Sequence, residues 1–333
     1  MKNRFTGTIW IGYCVACALT LSFSESPAQQ PSTSAAKPLP KIGVLSAMGG
    51  GRASPEPTLE KELERLGWVN GSTATIERAI GPLDQLPRLA AELVQAKPDV
   101  IIALTASAAV ALKETKVLVP TVVYAAHDGV AIGLFQSLAR PGGMFTGTES
   151  LGPLLDEKRT ELIRMLVPGL RKLAIIHNPL SPNTAPHLKS SQAVAQRMGI
   201  HLALVPVKSQ ADYPSAFEKL WDADIDAALM YSDEVTIWMG VFPYERKRKL
   251  PMVCEFAFQV VLQGCLVSYG PLLSEFAKTT ARQVDEILRG ADPATMPVQL
   301  MTRFELALNR RTAADLGISI SPEFLMRVDV LAE

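Results

Sequence analysis

The chain has 333 residues, 48% of them apolar and 20% charged, and 33 basic side chains balance 33 acidic ones. That length supports two domains with sizeable cores. A neutral chain with a pI near 6.9 and no long basic block carries no electrostatic footprint for nucleic acid.

The first elements concern targeting. Lys2 and Arg4 give a positive start, Ile9 to Leu21 is apolar but too short to span a bilayer comfortably, and Ser26-Pro27-Ala28 offers small residues for cleavage. This predicts a secretory signal peptide over 1–28 and a periplasmic location, with an uncleaved anchor as the alternative. Cys17 follows Cys14-Val15-Ala16, a poor lipoprotein signal. A polar linker, QQPSTSAAKPLP, covers 29–40. The mature chain keeps Cys254 and Cys265, both in apolar runs, and that setting favours two buried thiols over a bridge.

From residue 41 strands and helices alternate. KIGVLS (41–46) is an apolar strand, followed by Gly49 to Gly51 and a helix with Leu59, Leu63 and Leu66 on one face. ATIERAI (74–80) is a strand, and Pro87 opens a helix carrying Leu89 and Leu93. PDVIIALT (98–105) is a continuous apolar strand suited to a parallel sheet covered on both faces. A small-residue helix, the strand PTVVYAA (120–126) and a further helix ending at Arg140-Pro141-Gly142-Gly143 complete the series.

At residue 171 the order starts again. RKLAIIHNP (171–179) is a strand and loop, and a helix runs from about 184 to Met198. HLALVPV (201–207) is a strand, and a helix near 214–221 places Phe217, Leu220 and Trp221 inward. IDAALMYSD (225–233) is a strand, a helix ends in the basic run Arg246 to Lys249, and LPMVCEFA (250–257) is a strand. GCLVSYG (264–270), a long helix ending at Gly290, MTRFELALN (301–309), a short helix at Thr312 to Leu316 and one starting at Pro322 finish the chain. The expected fold class is α/β, two Rossmann-like lobes with parallel sheets, whose ligand would sit beyond the strand C-termini in the cleft between them.

Catalytic and cofactor signatures are weak. Gly51 is followed by Arg52-Ala53-Ser54, so the Walker Lys is missing, and Gly49-Gly50-Gly51 is out of register for G-x-G-x-x-G. No cofactor and no metal are expected: H-E-x-x-H and G-x-S-x-G do not occur, and His177 and His187 lack a usual zinc spacing. Asp233-Glu234 is a carboxylate pair, most simply an anion at a helix start.

Several stretches together resemble the substrate-binding proteins of ABC importers, in the group typified by the tryptophan-importer-like binding component. They are ELERLGWVNG (62–71), LPRLAAELVQAKPDVIIA (86–103), SLARPGGMFTGT (137–148), KRTELIRMLVPGL (158–170), HNPLSPN (177–183), GCLVSYGP (264–271) and FELALNRRTAADLGISISPEFLMRVD (304–329). The resemblance implies a periplasmic-binding-protein type I fold with a three-strand hinge, crossing at MFTGTES (144–150), after Tyr269 and before Phe304. The first lobe would be 41–147 completed by about 271–300, and the second 148–270 completed by about 304–333. It implies no catalysis, a small-molecule ligand such as an amino acid, and a membrane permease with its ATPase as partner of a monomer. Two loops depart from the family pattern: Thr105-Ala106-Ser107-Ala108-Ala109 replaces G-T-P-A-A, and His127-Asp128-Gly129-Val130 replaces G-D-P-V.

By position in the lobes, the expected ligand contacts are Ser46, Ala47, Gly49, Thr105, Ser107, Tyr124, His127 and Asp128 from the first. Asn178, Asp233, Glu234, Glu255 and Tyr269 would face them. A periplasmic sensor for a membrane receptor uses the same cleft, and a hydrolase would have to use Asp233 and Glu234; both remain alternatives.

Overall fold

The structure is a computed structural model that describes residues 38–47, 55–222, 224–237 and 249–333. The signal segment, Gly49 and the basic run up to Arg248 lie outside the described residues.

Two sheets organise the chain. The first has the order β11-β5-β4-β3-β1-β2, from strands β1 (Lys41–Ser46), β2 (Thr75–Ile80), β3 (Val100–Ala103), β4 (Thr121–Ala126), β5 (Phe145–Glu149) and β11 (Gln299–Leu300). Every pair in it is parallel. The second has the order β13-β12-β10-β9-β8-β6-β7. Its strands are β6 (Lys172–His177), β7 (His201–Pro206), β8 (Ala227–Met230), β9 (Met252–Cys254), β10 (Val267–Pro271), β12 (Phe304–Asn309) and β13 (Val330–Ala332). Only β10 and β12 run antiparallel.

Parallel strands need crossovers, and apolar faces on the connecting helices supply them. Helix α1 (Glu56–Arg65) buries Leu59 and Leu63. Helix α2 (Leu86–Gln95) buries Leu86, Ala90 and Leu93. Helix α3 (Ala106–Glu114) starts at Thr105, whose side chain accepts the Ala108 N–H. Helices α4 (Gly152–Leu166) and α5 (Thr184–Met198) cover the second sheet, and α5 stops at Gly199 in the left-handed conformation. The burial of β3 on both faces accounts for its uninterrupted apolar run.

The chain passes between the sheets three times. It leaves the first after β5 to enter α4, and leaves the second after β10 to enter the helix Leu273–Leu288, which packs on β3, β4 and β5. It then leaves β11 for β12.

Two sequence expectations need correction. The stretch after β4 forms turns rather than a helix ending at Arg140. Asp128 and Gly133 have φ of 66° and 73°, and the Asp128 and Gly129 N–H groups donate to the Glu149 carboxylate instead of to a helical ladder. Cys254 and Cys265 form a disulfide, with Cα atoms 6.6 Å apart. The short helix Ala257–Val261 turns the chain back, so that the end of β9 meets the approach to β10. Reading each apolar run singly misses that return.

Candidate functional site

A cavity of about 290 Å³ opens between the strand-end loops of the two sheets. Two aromatic pairs dominate its walls. Tyr124 stacks on Phe276 with ring centroids 5.6 Å apart, and Phe256 stacks on Phe258 at 6.0 Å. The starts of α1, α3 and the Leu273–Leu288 helix reach the cavity through Thr58, Thr105 and Ser274. Helix starts carry partial positive charge from unpaired N–H groups. On the opposing side lie Asn183, Ser232, Asp233 and Glu234. The Asn183 Oδ1 atom is buried without a hydrogen-bond partner among the described residues. Asp233 Oδ1 accepts the Val235 and Thr236 N–H groups at 2.7 and 2.9 Å. Burial, then the neighbouring Glu234 charge, pushes the Asp233 carboxyl up to about 7. Among the described residues the cavity lining has carboxylates and no Lys or Arg.

His127 connects this cavity to a buried ionic network. Arg159 is fully buried on α4. Its Nε donates to the Tyr269 carbonyl at 2.9 Å, and its Nη1 donates to Gly152 O at 3.1 Å and Asp156 Oδ1 at 2.8 Å. Its Nη2 lies 3.0 Å from Glu255 Oε1. Asp156 Oδ2 sits 2.8 Å from His187 Nδ1, and His187 Nε2 sits 2.8 Å from His127 Nδ1. A carboxylate only accepts here, so His187 donates from Nδ1; with a neutral His187 ring, its Nε2 then accepts from His127 Nδ1–H. Burial pushes the His127 imidazole down to about 4, against the pull of Glu255, which keeps it neutral. Burial, the largest single effect, would raise the Glu255 carboxyl; the Arg159 guanidinium, together with His127, His187 and Ser232, outweighs it and holds that group below the usual range. Gly152 is obligatory at this contact, because a Cβ there would lie 2.6 Å from His127 Nδ1 and 2.9 Å from His187 Nε2.

Of the residues expected at the site, Thr105, Tyr124, His127, Asp233 and Glu234 line the cavity. Ala47 and Ser107 instead line an adjoining groove of about 710 Å³ that shares Glu234. Ser46 is buried at the end of β1, away from the lining. Asp128 is exposed and caps its own turn through the Ala131 N–H. Asn178 holds the β6–α5 turn by accepting the Leu180 N–H. Glu255 faces Arg159, and Tyr269 packs on Phe304 at 5.9 Å. Strand-end position alone did not separate residues pointing into the cleft from those bracing its floor. Sequence reading missed Asn183, Ser232, Phe256, Phe258 and Phe276 in the lining, and Asp156 and Arg159 beneath it.

The profile of the family described as ABC transporter substrate binding protein matches residues 55–330. The chain belongs to this family. A tyrosine-binding protein of Clostridioides difficile strain R20291 is 23% identical to this substrate-binding protein over 262 residues, spanning 78% of this chain and 75% of that one. Among solved structures, a conserved domain protein from Vibrio cholerae matches with a TM-score of 0.82 at 24% identity, covering 88% of this chain and 100% of that one. An ABC domain from Streptococcus pneumonia in complex with L-Trp matches with a TM-score of 0.81 at 22% identity and the same coverages. The fold of the substrate-binding protein is thus α/β with two largely parallel sheets, of the periplasmic-binding-protein type I kind. Its family comprises solute-binding rather than catalytic proteins. No described helix is long and apolar enough to cross a membrane.

Glu149 gives the substrate-binding protein a pH-sensitive brace for the His127 loop. Its two carboxylate oxygens accept the Asp128 and Gly129 N–H groups at 2.6 and 2.9 Å. Burial nevertheless pushes its carboxyl up from 4.5 to about 7. The folded state therefore holds that proton more tightly than the unfolded chain. Its contribution to stability is full below pH 4.5 and is lost as pH rises through about 7, by about 3 kcal/mol. In Glu149→Gln this dependence disappears. The stability gap between wild type and variant should shift by that amount in the variant's favour between pH 4.5 and 8, measured by urea unfolding. A gap independent of pH would show that Glu149 does not titrate differently on folding.

Proposed function

We propose that the protein is the extracytoplasmic receptor of an ABC importer and binds an α-amino acid with an aromatic or large apolar side chain. One observation carries this: a cavity walled by two stacked aromatic pairs has helix starts on one side and Asp233, Glu234 and the unpaired Asn183 oxygen on the other. Helix starts suit a ligand carboxylate, carboxylates and an amide oxygen suit its ammonium, and the rings suit its side chain. The relatives named for tyrosine and found with L-Trp support the same class.

The two halves act as lobes, 41–147 with about 271–300 and 148–270 with about 304–333, and close about the three crossings. The signal segment exports the chain as a monomer, and the loaded form delivers its ligand to the membrane permease.

Thermal shift of protein refolded to strip ligand tests the reading. At a thousandfold above its dissociation constant, one of L-Trp, L-Tyr, L-Phe or L-Leu should add about 4 kcal/mol, a shift of several degrees. Asp233→Asn should weaken that ligand at least about tenfold, the loss of one charge-assisted contact. No shift with any proteinogenic amino acid would remove this ligand class.

A further inference from the structure

We propose that His127, His187 and Glu255 form a binding site for one divalent cation of the zinc class, set behind the ligand cavity and shared between the two halves of the chain. His127 follows β4 of the first sheet, whereas His187 lies on α5 and Glu255 follows β9, both belonging to the second. All three are buried.

The donor atoms are already in place. His127 Nδ1, His187 Nε2 and Glu255 Oε1 form a triangle with edges of 2.8, 3.9 and 4.0 Å. One point in its plane lies about 2.1 Å from all three, an ordinary zinc–nitrogen or zinc–oxygen distance. The supporting contacts also fit. Asp156 accepts from His187 Nδ1, which fixes the tautomer and leaves Nε2 with its lone pair toward the site, the arrangement that orients metal-bound histidines. Ser191 and Tyr231 extend that support, Tyr231 O–H donating to Ser191 Oγ at 2.8 Å. Glu255 Oε2 is buried with no hydrogen-bond partner among the described residues, so the carboxylate has a second oxygen to offer the ion.

Charge favours a cation despite Arg159. With both imidazoles neutral, as metal binding requires, Asp156 and Glu255 contribute two negative charges and Arg159 one positive, which leaves one negative charge uncompensated among the described residues of a buried region, where it is costly. Two imidazoles and one carboxylate suit zinc and its neighbours rather than calcium or magnesium, which prefer all-oxygen sets. Without an ion, His127 donates its Nδ1 hydrogen to His187; the ion takes the place of that hydrogen. The ion would bridge the two halves and steady the contact beneath the ligand.

The test uses the full chain stripped with a chelator and titrated with Zn²⁺, with bound metal counted by mass spectrometry. One ion per chain is expected. His127→Asn keeps an N–H donor for His187 but removes the ligating nitrogen, and should weaken Zn²⁺ at least 100-fold. His201→Asn, at an exposed histidine on β7, should change nothing. Co²⁺ gives a readout on the wild-type chain that does not depend on any variant folding: bound in this set, it should show intense visible bands of low coordination number. No stoichiometric Zn²⁺, Zn²⁺ affinity equal in wild type and His127→Asn, or a Co²⁺ spectrum like that of the hydrated ion would each overturn the site. None of these outcomes bears on whether an amino acid binds the cavity.

Discussion

Arg159→Ala is expected to lower the unfolding free energy by about 3–5 kcal/mol, because removing one partner of a buried ion network strands the others. The guanidinium satisfies the Tyr269 and Gly152 carbonyls and stands between Asp156 and Glu255, the three charged side chains all buried. The truncated chain would hold two buried carboxylates with no cation between them. Arg159→Lys should recover only part of the loss, since a single ammonium cannot reproduce a planar fork that contacts both elements. Urea unfolding at neutral pH reads the effect directly. A loss below about 1 kcal/mol would mean that water or neighbouring groups compensate the network, against its complete burial here.

The second large effect is expected from the disulfide. Replacing Cys254 and Cys265 together by Ala should cost about 3 kcal/mol, the loop-closure entropy returned to the unfolded chain, with small native cavities adding to it. Both sulfurs are shielded from solvent. A mild thiol reductant should therefore leave the folded protein oxidised and reduce it only in denaturant. Matching urea midpoints for wild type and the double variant would show that the bridge contributes nothing to stability. Glu255 follows Cys254 directly, so the variant also shows how far the bridge fixes that carboxylate against Arg159.

Much of the fold was legible because parallel strands buried on both faces write unbroken apolar runs. VIIA in β3 and KLAIIH in β6 are such runs, and each is followed by turn residues and a helix with period near 3.6. The stretch after β4 was misread because its apolar spacing is helical while its backbone amides are taken by Glu149, 20 and 21 residues away. The site was only half legible for a similar reason. Thr105, Tyr124 and His127 follow from strand ends and a helix cap. Phe256, Phe258 and Phe276 look like core in sequence, and an aromatic that lines a cavity is patterned like one that fills it. Arg159 gave no signal because α4 reads as an ordinary charged helix. Only tertiary packing distinguishes a guanidinium at the centre of the molecule from one on its surface.

The triple passage of the chain between the sheets has a consequence for how the protein is made. When synthesis has reached Pro271, the first sheet still lacks β11 and the helix Leu273–Leu288, and the second lacks β12 and β13. Part of the covering of each sheet is therefore supplied late, and neither half is one contiguous segment of the chain. The closing partners of both come from the final stretch, β13 ending at Ala332, and pairing across such sequence separation is slow. A denatured chain of this design should therefore refold slowly, with both cores waiting on the same late segments.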